Sequence, residues 1–134
     1  MSKNWVRDIR EMHDKYGVHE WIKTATPDQL REFLAFRIRF LHEELNETEL
    51  AVNGSDAEEI VDGLIDLCVV AIGTLDAFGI DAHTAWNNVL VANMAKEVGV
   101  KEGRPNPLGL PDLVKPEGWQ APSHVNNHGK FKDL

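Results

Sequence analysis

Between Thr26 and Gly79 the chain carries two long stretches of helical periodicity, separated by only a short turn at Asn53-Gly54. Two such helices must fold back on each other as an antiparallel hairpin, which restricts the chain to all-α packing. Thr26-Pro27-Asp28-Gln29 reads as a capping box with proline at the first helical position, opening a helix that continues to about Val52. Ser55-Asp56-Ala57-Glu58 reads as a second box, opening a helix that runs to Phe78 with Gly79 as its terminal glycine.

The hairpin is acidic where it should be apolar. At 100° per residue, Leu30, Phe33, Arg37, Phe40, Glu44 and Glu47 share one stripe, while Glu43 and Glu49 point away. On the second helix Glu59, Asp62 and Asp66 share a line with Val69 and Gly73. Counting from the turn at about 1.5 Å per residue puts Glu47 level with Glu59 and Glu44 level with Asp62. Asp66 then lies one turn deeper. Carboxylates on helices are usually solvated decoration, but these lie on inward faces. Like charges at such spacing repel, and partial burial raises the cost unless cations neutralise them. Hard oxygen donors without Cys or His favour Mg²⁺, with Mn²⁺ as the alternative.

The remaining segments frame this hairpin. A first helix runs from about residue 3 to Tyr16, with Trp5, Ile9, Met12 and Tyr16 on one face. Residues 18–25 read as a connector carrying His19 and Trp21 as ligand-contact candidates, although packing of Trp21 on the bundle is the plainer reading. Asp81 opens a fourth helix reaching Glu97, with Trp86, Val89, Leu90 and Asn93 along an inward stripe and Lys96 at its edge; Trp86 reads as core. From Gly99 five prolines and five glycines indicate an extended tail, whose Leu108, Leu110, Leu113 and Trp119 provide docking points. The division is therefore a helical domain over 1–98 and a tail over 99–134.

Composition narrows the function. Net charge is −8 over 134 residues, and the excess lies in the helical part, with 18 acidic against 9 basic residues before Gly99. That argues against a nucleic-acid polymer as partner, since phosphate recognition needs basic stripes. The single Cys68 reads as a buried thiol in a reducing compartment. With no apolar run of spanning length and no signal-peptide pattern, the expectation is no membrane and a cytoplasmic setting. None of the six histidines has a glutamate three positions before it, which removes a di-iron bundle. Walker loops, dinucleotide fingerprints and nucleophile elbows are absent from the sequence.

Glu44-x-x-Glu47 followed by Glu59-x-x-Asp62 resembles the signature of the all-α nucleoside triphosphate pyrophosphohydrolases, with MazG-like members nearest. That superfamily includes dCTP pyrophosphatase, dimeric dUTPase and phosphoribosyl-ATP pyrophosphohydrolase. The likeness runs through Asp66, Gly73-Thr74, Gly79-Ile80-Asp81 and Asn93-Met94-Ala95-Lys96, covering roughly residues 30–100. It implies a four-helix-bundle-like MazG-type core and Mg²⁺-dependent cleavage of a (deoxy)nucleoside triphosphate to monophosphate and pyrophosphate, in the cytoplasm of a bacterium or a phage-infected cell. Glu44, Glu47, Asp62 and either Glu59 or Asp66 would hold the metal, with Glu47, or else Glu44, as the acceptor of the water's proton. The turn count favours Asp62 as principal aspartate; the spacing to Asp81 favours Asp66.

Arg37 and Lys96 would contact phosphate and Asn93 the sugar or a phosphate. The plain alternatives are an Arg37–Glu44 pair and a helix-end charge at Lys96. Trp21, Trp119 and Lys115 are candidates for the base and for closure over the nucleotide. A homodimer or homotetramer is expected. Competing readings are phosphoribosyl-ATP hydrolysis and a non-catalytic nucleotide-binding helical module.

Overall fold

The computed structural model describes residues 1–104, 108–109 and 112–134; Leu110, named above as a docking point, lies outside them. The described residues form an all-α chain with one minimal two-stranded sheet. The helices are α1 (Trp5–Lys15), α2 (Val18–Thr24), α3 (Pro27–Asn53), α4 (Ala57–Ala77) and α5 (Ala82–Met94). Strand β1 (Glu97–Gly99) pairs antiparallel with β2 (Asp112–Val114), Val98 opposite Leu113, and a 3-10 helix spans Gly129–Asp133. Two compact units result: residues 1–82 with 128–134, and residues 83–127. No single helix among the described residues is long and apolar enough to cross a membrane.

In the first unit the sequence signals at Thr26 are realised in full. Its hydroxyl accepts from the Gln29 amide at 3.2 Å, and the Gln29 side chain accepts from the Thr26 amide at 2.8 Å. The start of α4 differs from expectation. Asp56, not Ser55, is the cap, its carboxylate accepting from the Glu59 amide at 3.1 Å. Ser55 has φ 56° and belongs to the turn, because reversing direction within so few residues needs one left-handed position. Residues 18–25 are not a connector. Gly17, at φ 77°, redirects the chain, and Val18 and Ile22, four apart, bury one side of the short helix α2. On α1 the buried pair is Ile9 and His13; Trp5, Met12 and Tyr16 are exposed, so the inner face lies to one side of the expected stripe.

The core gathers Ile22, Leu30, Ala77 and Phe78, flanked by Phe33, Leu34, Phe131 and Leu134. Phe78 is fully enclosed, at 0 % exposure. Phe131 stacks on it with centroids 4.3 Å apart and planes at 14°, and the Lys130 amide donates to the Phe78 carbonyl at 2.8 Å. Gly129 makes this return feasible, since a Cβ there would fall onto that carbonyl.

Gly63 sets how closely α3 and α4 cross. A Cβ at this position would overlap Thr48 Oγ1 and come within 3.2 Å of Thr48 Cβ. The hydroxyl itself donates to the Glu44 carbonyl at 2.7 Å, so it has little freedom to move. Gly63→Val is therefore expected to cost about 1–3 kcal/mol by overpacking. Thr48→Ala in the same chain should restore part of that loss, as read by urea denaturation.

Candidate functional site

The turn geometry determines which carboxylates meet. Because Gly54, Ser55 and Asp56 all lie outside the helices, the hairpin pivots further along the chain than an Asn53-Gly54 turn implies. Thr48 lies against Gly63, and Arg37 against Gly73 and Thr74. Glu44 then stands across from Asp66, and Glu47 across from Asp62. Glu59, capped in the first turn of α4, is displaced toward the turn and lies opposite the end of α3. The expected pairings, Glu47 with Glu59 and Glu44 with Asp62, are each shifted by about one turn.

The electrostatics agree with this register. Burial pushes the Glu44 carboxyl above the usual range, and the charges of Asp66, Glu47, Asp62 and Glu43 push it further. Burial likewise raises Asp66, helped by the charge of Asp62 and a hydrogen bond between the two. Of the predicted ligands, Glu47, Asp62 and Asp66 thus act on Glu44, and Asp62 acts on Asp66, while Glu59 is not among the charges felt at either. Glu43, read from sequence as pointing away, is exposed but close enough to be felt.

This repulsion gives a pH prediction with a definite sign. A carboxyl raised in the folded state binds its proton more tightly there than when unfolded, so stability falls as pH rises through the window. The metal-free protein should therefore lose stability from these groups just above the ordinary carboxylate range. The full penalty persists at neutral pH and vanishes below the unfolded values. Glu44→Gln should flatten that part of a Tm-versus-pH curve, and Mg²⁺ should raise Tm more in the parent than in this variant.

The remaining candidates fall into three groups. Arg37 donates from Nε to Thr74 Oγ1 at 3.0 Å and from Nη2 to the Val70 carbonyl at 2.9 Å, lying between the Phe33 and Phe40 rings. Burial lowers its pKa from an extreme value. These bonds tie α3 to α4, rather than forming the Glu44 pair that sequence offered. Trp21 packs on Phe33 with centroids 5.3 Å apart, at a cleft also lined by Gln29, Glu32, Phe36 and Arg39.

In the second unit Lys96 and Lys115 sit over Trp119, 5.3 and 4.9 Å from its ring centroid, and Trp119 Nε1 donates to the Ala92 carbonyl at 2.7 Å. Three predicted substrate residues thus meet there, and Leu113 of the docking set is in β2. The expected inward stripe of α5 is not observed: Trp86 is 72 % exposed, and Val89, Leu90 and Asn93 are also exposed. Ala82 and Ala92 are buried instead. Helix α5 also stops at Met94, short of the expected Glu97, which joins β1. Cys68 is half-buried in a small apolar cleft beside Trp5, Ile9, Ile65 and Ile72, not fully enclosed.

An all-α hairpin that brings carboxylates from both helices near one another is what a hydrolase of the nucleotide pyrophosphohydrolase type would present. The chain belongs to the phosphoribosyl-ATP pyrophosphohydrolase family, whose profile matches residues 18–93, from α2 to the last turn of α5. A comparison with curated proteins found no match.

Proposed function

We propose that the protein hydrolyses the α–β phosphoanhydride of a (deoxy)nucleoside triphosphate, releasing a nucleoside monophosphate and pyrophosphate with Mg²⁺. The observation that carries this reading is the convergence on Glu44 of the charges of Glu47, Asp62 and Asp66 across α3 and α4. An oxygen-only donor set in which the neighbouring carboxylates hold Glu44 and Asp66 above their ordinary range fits a hard dication with bound waters and phosphate oxygens. Those four residues would hold it, Mn²⁺ being the alternative ion. Bound there, the metal supplies charge neutralisation for the phosphates and a more acidic water.

The chain's own residues do the rest. Glu47, exposed like Asp62 at the rim of the cluster, accepts the proton of the attacking water. Glu44 and Asp66, half-buried, stay fixed by packing. The cations flanking Trp119 are the proposed phosphate contacts of the second unit. Asn93 is exposed on α5 and free of the core, as a sugar or phosphate contact requires.

We also propose that the enzyme works as a homo-oligomer. Val61 and Leu64 on α4 are 63 % and 53 % exposed, and Ile65, Leu45 and Leu50 are exposed as well. Apolar area of this kind is usually covered by a partner. Leu64→Asp should shift the mass measured by light scattering toward the monomer; unchanged mass would count against that surface.

The test of function is a panel of dNTPs, NTPs and phosphoribosyl-ATP with Mg²⁺, separating products by anion exchange. Monophosphate and pyrophosphate from a triphosphate are expected. Orthophosphate with diphosphate would refute the bond assignment. No turnover of any triphosphate by the folded, metal-loaded protein would refute the enzyme reading in favour of a binding module, and turnover confined to phosphoribosyl-ATP would replace the substrate.

A further inference from the structure

At the far end of α4 from the acidic cluster, three elements bring a different donor set together. Asp76, on the last turn of α4, has a side chain only 5 % exposed. Its Oδ2 lies 2.8 Å from Nδ1 of His13 on α1 and 2.6 Å from Nε2 of His19 on α2. The two imidazoles stand at 83° to each other with centroids 5.9 Å apart, so their nitrogens approach one point from different directions. All three donor atoms fall within 4.8 Å of one another. From these positions we infer a transition-metal site of His13 Nδ1, His19 Nε2 and Asp76 Oδ2, suited to Zn²⁺ and distinct from the acidic cluster.

The surroundings match what such a site needs. A ligating imidazole is normally held by a carboxylate on its other nitrogen, which fixes tautomer and ring angle. Asp14 Oδ1 does this at 2.5 Å from His19 Nδ1. Arg10 Nε lies 3.5 Å from Asp76 Oδ1, orienting the carboxylate so that Oδ2 faces the histidines. His13 is buried and His19 partly exposed, giving a closed floor and one solvent-facing side where a water completes four-coordination. Gly17 sets the angle between α1 and α2 that brings both histidines to Asp76.

Two imidazoles with one carboxylate favour Zn²⁺ and its softer neighbours, whereas the all-oxygen cluster favours Mg²⁺. On binding, the protons on His13 Nδ1 and His19 Nε2 leave to solvent and both lone pairs go to the metal. Without metal, the same groups form a hydrogen-bonded network of imidazoles and carboxylates. The metal would clip α1 and α2 to α4, so its presence should show as stability even where catalysis is unaffected.

The test uses the full chain, stripped with chelator and held in excess Mg²⁺, titrated with Zn²⁺ by calorimetry and with Co²⁺ by visible absorption. One equivalent of Zn²⁺ per chain, a rise in Tm and the intense Co²⁺ bands of a four-coordinate site are expected. His19→Ala and Asp76→Asn should abolish all three, and Asp14→Asn should weaken Zn²⁺ about 10–100-fold. Glu47→Gln should leave them intact, which separates this site from the proposed catalytic one. Circular dichroism checks that His19→Ala, partly exposed in the parent, remains folded. Should Asp76→Asn fail to fold, His19→Ala and Asp14→Asn carry the test. No saturable Zn²⁺ binding by the parent, or equal binding by His19→Ala, would overturn the inference.

Discussion

Replacing Glu47 by Gln should reduce turnover by about 10²–10⁴-fold while leaving the fold unchanged. Glu47 is exposed at the rim of the acidic cluster, so its loss removes neither packing nor a cap. Gln keeps the volume but cannot take a proton from water and is a poorer donor to a hard cation. General-base catalysis alone is worth a factor of this size. Circular dichroism and Tm should match the parent while pyrophosphate release collapses. Full activity in the variant would remove Glu47 from the mechanism. Asp62→Asn and Asp66→Asn serve as companions: Asp66 stands across from Glu44 and Asp62 across from Glu47, so loss of either should depress turnover steeply. A variant that keeps turnover identifies the aspartate that is not a ligand.

The largest effect on stability is expected at Phe78, where substitution by Ala should cost about 3–5 kcal/mol. The ring is wholly enclosed, stacked on Phe131 and 5.9 Å from Phe33. Deleting it leaves a cavity that three neighbouring elements cannot jointly collapse into. That is a large share of the stability of a domain this size. Chemical denaturation should show a lower midpoint with a similar slope. Phe131→Ala should cost less, because that ring is only half-buried. The double variant should fall short of the sum by about 0.5–1.5 kcal/mol, the value of the aromatic pair itself. Strict additivity would mean that the stack contributes nothing beyond buried area.

Much of the fold was legible in the sequence because it is encoded locally. The Thr26 box, the inward stripe from Leu30 as far as Glu44 and the terminal Gly79 each involve residues a few positions apart, and each is present; only Glu47, at the end of that stripe, is exposed. What sequence missed depends on counting across a turn or across the chain. Ser55 satisfies a capping pattern, yet the backbone uses it as a left-handed turn residue, and that offset shifts every pairing in the hairpin. Trp86 looks like core by size, but it is exposed, while the small Ala82 and Ala92 are buried. The pairing of residues 97–99 with 112–114 has no local signal. Nor does the meeting of His13 and His19 with Asp76, which requires knowing that α1 and α2 reach the far end of α4. The histidine spacing alone carried no metal motif.

The stack of Phe131 on Phe78 also bears on how the chain tolerates change. Residues 83–127 are an insertion between two pieces of a single core, so closing that core means closing a loop made of an entire second unit. Loop-closure entropy grows only with the logarithm of length, at about 0.6 kcal/mol for each doubling. Additions or deletions in the loop between β1 and β2 should therefore hardly affect the stability of the first unit. Severing the chain there is a different matter, because an intramolecular aromatic contact would become a bimolecular one. The stretch between the strands can thus vary in length at little cost, whereas its continuity holds the last core aromatic in place.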